Sequence, residues 1–524
     1  MCEPAWGGNI PSSSDSEQVN GLTGGYMSTS FLRMEGICKN FGGVKALQHV
    51  DFEVHAGEIH CLAGENGCGK STLIKIISGA HQASSGSIFI EGKEVKRLTP
   101  IESIKKGIQV IYQDFAIFPN LSVAENIAMN SALMQGKKRM NWKASRAMAL
   151  EAMAKIGAHM DPDMLVERLS VSNRQMVAIC RAILNDAKLL ILDEPTTALT
   201  SYEVSMLYEI LRNLKAKGMA IVIVNHKLEE IYKIADRLTI LRNGENVATG
   251  PLEEFSRSRF IHCVTGREII DSLYEPEAST EPILEVQGLG REGSFSDVSF
   301  TLYKGDVLGI TGLLGSGRGE IGDALFGIYP ADTGTIALHG KPITIKSIKD
   351  ATKHHIGYVP EDRLTQGLFL TRSIMDNTVA ASIEKYFVKG RLDEEKMDAV
   401  TWQWIKRIGC VASDTKAPIR TLSGGNAQKI VIAKWMNINP SVLILNGPTV
   451  GVDIGSKFDI HKILHEFANS GVGVIIISDD LSELYYNCNK LLVMEGGKSS
   501  GLMDTKTLTE EGLANLLHGN MLEK

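Results

Sequence analysis

Short, unbroken apolar runs recur along the chain, each followed by a polar or glycine-rich turn and then by a stretch with helical apolar spacing. The runs at 58–63, 188–192, 220–224 and 472–477 are too short for helices, and the last two are dominated by β-branched residues. They read as buried strands of a parallel sheet. Residues 72–78 open a helix. Residues 141–156 have the composition of an exposed amphipathic helix, and 175–184 the spacing of a half-buried one. Strands alternating with helices predict an α/β fold. No run approaches bilayer length, so any membrane association is expected to be peripheral.

The glycine-rich turn after the first run is Gly64-Glu65-Asn66-Gly67-Cys68-Gly69-Lys70-Ser71-Thr72. It has the strand before it and the helix after it that a phosphate-binding loop requires. Glycines let successive backbone N–H groups converge on phosphate oxygens, the helix N-terminus adds its positive end, and the Lys70 ammonium reaches the terminal phosphates. The loop predicts a nucleoside triphosphate, with Ser71 on Mg²⁺. Cys68 is a small residue fitting between glycines, and its alkylation would block the nucleotide. Ahead of the loop, the turn 39–43 carries Phe41, an aromatic ring placed to stack on adenine. Gln113 follows the strand at 108–112 and offers an amide to a metal-bound water.

The run at 188–192 ends in Asp193-Glu194. A strand-end carboxylate pair downstream of a phosphate loop suits a second Mg²⁺ contact through Asp193 and a general base in Glu194. The strand at 220–224 ends in Asn225-His226, where His226 is placed to donate to a γ-phosphate.

Length and composition then change the picture. With 524 residues the chain exceeds one core and suggests about two to four domains. Hydrophobic residues are 44% and charged residues 22%, ordinary for a folded, non-spanning chain. The net charge of −6 gives no overall attraction to nucleic acid. Eight cysteines without metal-ligand spacing suggest free thiols in a reducing, cytosolic compartment. Residues 1–26 read as a disordered Ser/Gly/Asn-rich tail, with Met27 a candidate start.

An internal repeat organises the whole. Leu192-Asp193-Glu194-Pro195-Thr196 returns as Leu445-Asn446-Gly447-Pro448-Thr449, displaced by 253 positions (193 to 446). Leu169-Ser170 returns as Leu422-Ser423, and His226 maps to Asp479, at the same displacement. The phosphate loop returns as Gly312-Leu313-Leu314-Gly315-Ser316-Gly317-Arg318-Gly319, displaced by 248 (64 to 312). The expected organisation is a first domain at 27–265, a linker at 266–282 and a second domain at 283–524.

The phosphate loop, Gln113, Asp193-Glu194, His226 and Leu422-Ser423-Gly424-Gly425-Asn426 together resemble the ATP-binding cassette ATPases. The tandem arrangement, with Val359-Pro360-Glu361-Asp362-Arg363 and Gly451-Val452-Asp453, is similar to the fused ATPase subunit of bacterial simple-sugar importers of the ribose, galactose and xylose type. That resemblance implies two tandem P-loop domains, each a RecA-like parallel-sheet core with an antiparallel β subdomain and a helical subdomain. It also implies composite sites, each ATP lying between one half's phosphate loop and the other half's signature, here Ser423, Gly424 and Gly425. A helix N-terminus bearing a serine and two glycines can present hydroxyl and N–H groups to a γ-phosphate.

The two composite sites then differ. The first has Lys70, Ser71, Gln113, Asp193, Glu194 and His226 opposite an intact signature. The second has Arg318, Gly319, Glu361, Asn446, Gly447 and Asp479 opposite Val171-Ser172-Asn173, which lacks both glycines, and its Phe41 turn reads as shortened between Leu289 and Phe295. Both halves thus lose chemistry at one site and keep it at the other, so hydrolysis is expected at the first alone. The resemblance further implies a homodimeric membrane permease docking near 114–126, an extracytoplasmic sugar-binding protein, no nucleic-acid partner, and a place on the cytoplasmic face of the bacterial cell membrane. Phe115, Ile117, Phe118 and Leu121 suit either a permease helix or the cassette core. A furanosyl signal molecule or a nucleoside is an alternative cargo. A soluble tandem ATPase on the ribosome is a further alternative, although it would call for a long basic linker and two intact Asp-Glu pairs.

Overall fold

A computed structural model of the chain describes residues 30–134, 141–196, 199–225, 227–268, 272–277, 279–313 and 315–517. The tail at 1–26, Met27 and His226 lie outside the described residues. Each half is built on a six-stranded sheet. In the first half the order is Glu245–Pro251, Arg237–Arg242, Ile59–Ala63, Ala220–Val224, Leu189–Asp193, Ile108–Ile111. In the second it is Lys498–Asp504, Lys490–Glu495, Val307–Gly312, Gly473–Ile477, Val442–Asn446, Ile356–Val359. All neighbours are parallel except the edge hairpin in each. Every residue of Ile59–Ala63 and of Ala220–Val224 is buried, which is why those runs show no alternation.

Parallel strands all end at one edge of the sheet, and that edge carries the phosphate loop after Ala63, the carboxylates after Leu192 and Asn225 after Val224. A four-stranded antiparallel sheet flanks each core: Val44–His55, Ser30–Phe41, Ser85–Ile90 and Lys93–Glu94 in the first half, and Phe295–Tyr303, Pro282–Arg291, Thr333–Leu338 and Lys341–Ile343 in the second. The first helical unit, Val123–Met134, Trp142–Ile156 and Val171–Leu184, encloses its own core of Val123, Ile127, Ala149, Val166 and Val177. Among the described residues no helix is long and apolar enough to cross a membrane.

Two helices begin earlier than apolar spacing indicates. Lys70–Ile77 starts at the lysine because Gly69, at φ 109°, takes the left-handed turn that ends the loop. Val171–Leu184 starts four residues before 175 because the Ser170 side chain accepts the Asn173 N–H at 3.3 Å. A capping hydroxyl sets that boundary, and capping leaves no trace in a hydrophobic period.

The hairpin end bearing Phe41 is shortened in the second copy, as expected. Leu32 pairs with Val54 across the first hairpin and Leu284 with Leu302 across the second, so the second is four residues shorter (22 against 18 positions). Ile37 pairs with Val50 and Leu289 with Val298, 13 against 9 positions apart, so all four are lost at the hairpin end that carries Phe41 in the first copy. The second copy also keeps an aromatic nearby, since Arg291 lies 4.9 Å over the ring of Tyr329, the counterpart of His81. Phe41 meets His81 edge-on, with ring centroids 5.3 Å apart.

Candidate active site

The first phosphate loop is folded over its own lysine. The buried Lys70 ammonium donates to the carbonyls of Gly64 at 2.7 Å and Glu65 at 2.8 Å. Gly64 has no room for a side chain, because a Cβ there would stand 2.2 Å from the Leu241 carbonyl oxygen. Cys68 is buried beneath the loop and burial raises its thiol pKa, a state that slows alkylation.

Asp193 and Glu194 stand at the end of Leu189–Asp193, separated from the loop's own strand by Ala220–Val224. Burial, and then the Glu194 charge, raise the Asp193 carboxyl pKa against the opposing pull of Lys70 and Lys75. Glu194 holds a left-handed backbone, φ 48°, fixed by its N–H donating to the Val224 carbonyl at 3.0 Å. Its counterpart Gly447 adopts φ 57° with the matching bond to Ile477 at 2.8 Å. A non-glycine residue held there carries backbone strain, and the second half has released it by losing the side chain. Gln113 is exposed at the end of Ile108–Ile111. The segment after it is held by Arg181, whose guanidinium donates to the carbonyls of Phe115 at 3.0 Å and Ala116 at 2.8 Å. Phe115 and Ile117 pack against the sheet core, whereas Phe118 is exposed.

The signature lies at the start of Gly424–Met436, where Ser423 caps the helix and accepts from the Asn426 side-chain amide at 2.9 Å. Its link to the first phosphate loop runs through the next helix, Ile454–Asn469. Ser456 closes tightly over Gly425, and its neighbour Gly455 donates its N–H to the Glu65 carboxylate at 3.2 Å. Burial, and then Asp453, raise the Glu65 carboxyl pKa, as befits a side chain enclosed between the two halves. Beside this contact Asp459 accepts from Arg267, at the start of the linker that leaves the first half, at 2.6 Å and from Lys429 of the signature helix at 2.9 Å. The structure thus joins the first loop to the half that carries the intact signature.

At the second loop, Arg318 turns back to the Gly312 carbonyl and lies 3.6 Å from Asp479. Asn446 donates to the Tyr358 hydroxyl at 3.4 Å, and that hydroxyl donates to Asp323 at 2.7 Å. The two halves therefore differ in geometry as well as in residue type.

The roles of two groups of positioning residues escape the motif reading, although Arg363 itself lies in the motif 359–363. Arg363 donates to the carbonyls of Val450 at 2.6 Å and Gly451 at 3.0 Å and borders Gly424, tying the turn after Val442–Asn446 to the signature. Glu230 accepts from Thr196, from Asn225 at 2.7 Å and from Tyr208 at 3.3 Å, bracing the chain on either side of the reacting edge. Its counterpart Glu483 accepts from Thr449 at 2.7 Å and Ser478 at 2.6 Å and pairs with His461 at 2.9 Å. The common displacement of 253 (230 to 483) is the signal that would have found them.

Burial raises the Glu483 pKa, but His461, Lys457 and Ser478 outweigh it and hold the group at about 2, against an ordinary value of 4.5. A depressed acid stabilises the fold above its unfolded pKa, and that contribution is lost as pH falls through the folded one. Glu483→Gln is therefore expected to destabilise the second half at pH 7. The difference from wild type should shrink between pH 4.5 and about 2. Acid titration of tryptophan fluorescence reads this, since Trp402, Trp404 and Trp435 all lie in the second half. A difference independent of pH would refute it.

Two phosphate loops on parallel-sheet edges, one of them facing the other half's signature side, define a tandem P-loop nucleotide-binding protein. A family profile for the ABC transporter matches residues 47–197 and 295–450, so the chain belongs to the ABC transporter family as a tandem ATP-binding protein. It is 38% identical over 493 residues to the ribose import ATP-binding protein RbsA of Lacticaseibacillus paracasei, covering 94% of this chain and 99% of that one. It is 38% identical over 488 residues to the protein of the same name from Geobacillus kaustophilus, covering 93% and 99% respectively.

Proposed function

We infer that this chain is the ATP-hydrolysing subunit that energises import of a simple sugar of the ribose, galactose and xylose class through a membrane permease. The observation that carries this reading is the asymmetry of the two sites: the half whose sequence keeps the complete hydrolytic set is also the one whose phosphate loop bonds, through Glu65, the half that bears the intact signature. The relatives named for ribose import, similar over nearly the full length, supply the kind of cargo.

In this reading Gly64, Glu65, Asn66, Gly67, Cys68, Gly69, Lys70, Ser71 and Thr72 cradle the triphosphate, with Lys70 moving from its own loop carbonyls to the phosphates. Phe41 meets the adenine. Ser423, Gly424 and Gly425 complete the enclosure, Glu194 takes the proton of the attacking water, and His226 and Gln113 orient the γ-phosphate and that water. Magnesium fits the donor set. Ser71, Gln113 and Asp193 offer hard oxygen ligands, and the mutual repulsion of Asp193 and Glu194 is what a bound cation relieves. When bound, the cation neutralises phosphate charge.

Closing the halves shifts a population between open and closed states and does work only through an attached partner. That partner is a homodimeric permease contacting 114–126, with Phe118 the exposed ring of that segment, on the cytoplasmic face of the membrane. A sugar-binding protein outside the membrane delivers the cargo. Affinity purification from native membranes tests this: a multi-span permease and a sugar-binding protein should accompany the chain, in amounts that depend on ATP. Ribosomal proteins without a permease would overturn it.

A further inference from the structure

The face that the second half turns toward the first loop has a counterpart in the first half, and the two differ in kind. On Ile454–Asn469, Gly455 bonds Glu65, Asp459 bonds Arg267, and Ile454 and Phe458 pack on the apolar cluster around Phe260 and Val264. The counterparts on Ser201–Ala216, 253 positions earlier, are Tyr202 for Gly455 and Met206 for Asp459. One turn apart on one face, Tyr202 is 75% exposed and Met206 47% exposed. The counterpart of Glu65 in the second loop is Leu313, 55% exposed. A charged and hydrogen-bonded contact at the first site therefore maps onto an apolar pair at the second.

The chemistry around the second loop changes with it. Lys75, Gln113 and His226 become Asp323, Glu361 and Asp479, whereas Asp193 and Glu194 become Asn446 and Gly447. The hydroxyl of Ser71 is lost to Gly319. The surroundings are thus more acidic than at the first site, with fewer metal ligands. The cation that remains, Arg318, lies between the Gly312 carbonyl and Asp479. Asn446 is engaged with Tyr358, whose hydroxyl donates in turn to Asp323. A triphosphate with its metal meets repulsion there instead of compensation.

We propose that the second composite site takes no nucleotide and is instead an apolar closing face, in which Tyr202 and Met206 of the first half seat against Leu313 of the second. The chain then binds a single ATP, and closure at the second site follows closure at the first. This rests on the reading of the first site given above. Burying Tyr202, Met206 and Leu313 supplies a non-directional attraction in place of the phosphate contacts.

The test uses the full chain carrying Glu194→Gln, so that bound ATP is not turned over, and counts ATP by equilibrium dialysis at saturating MgATP. One ATP per chain, lost when Lys70→Met is added, supports the proposal. Two per chain, or one that survives Lys70→Met, overturns it while leaving the transporter reading intact. No ATP in either protein overturns the transporter reading and this inference with it. In a second arm, Tyr202→Cys and Leu313→Cys are paired in the same chain and treated with a short bismaleimide. Cross-linking that rises about fivefold or more on adding MgATP is expected; cross-linking unchanged by MgATP overturns the closing face.

Discussion

Glu194→Gln is expected to lower steady-state ATP turnover by about two to four orders of magnitude while leaving ATP binding in place. The amide keeps the size and the left-handed backbone of the native residue, so the strain at φ 48° and the bond to Val224 are unchanged. What is removed is the capacity to take a proton from water. The second half offers no substitute, because Gly447 stands where a base would be needed. Phosphate release measured under saturating MgATP, beside nucleotide affinity, decides the matter. Turnover within about tenfold of wild type would mean that another group or the second site does the chemistry.

Gly425→Ala is expected to lower turnover by about a hundredfold, although the methyl is added to the half with no hydrolytic carboxylates. A Cβ at Gly425 would lie 2.2 Å from the Ser456 hydroxyl oxygen and 2.5 Å from its Cβ. Ser456 cannot simply rotate away, because its N–H and hydroxyl donate to Asp453 at 2.9 and 3.0 Å. Displacing it moves Gly455, and with it the contact to Glu65 on the first phosphate loop. Alanine is otherwise the better helix former by up to about 1 kcal/mol, so the loss is one of alignment and not of helix formation. Ser456→Gly removes the obstructing atoms, and in combination with Gly425→Ala should restore most of the activity. The matching change in the first half, Ser172→Ala, faces the second site and should leave turnover within about twofold. If both changes were equally harmful, the pairing of the first loop with the second half's signature would be wrong.

Much of this was legible from residue order because it is local. A phosphate loop is nine consecutive residues whose glycines and lysine act through their own backbone. The buried strands announce themselves by unbroken β-branched runs, and the repeat shows in paired motifs at a constant displacement. The shortening of the Phe41 hairpin between Leu289 and Phe295 is legible because it is local, and the strand register agrees with it. The helix starting at Val171 was misplaced because its boundary rests on a cap. Glu230 and Glu483 went unnoticed since an isolated glutamate on a helix looks like a solvated one until its partners are in place.

By itself the sequence determined the class of chemistry, the doubling of the domain and which set of site residues is complete, for these are properties of residue identity at fixed local spacing. Only the tertiary structure decided that Glu65 reaches Gly455 across 390 positions, that Arg363 ties the signature to the turn at Val450 and Gly451, and that Glu194 is held in a left-handed turn which Gly447 relaxes. Such contacts depend on where separate segments come to rest when the sheet edges and helices pack. A carboxylate or guanidinium carries no local mark of which distant backbone group it will meet.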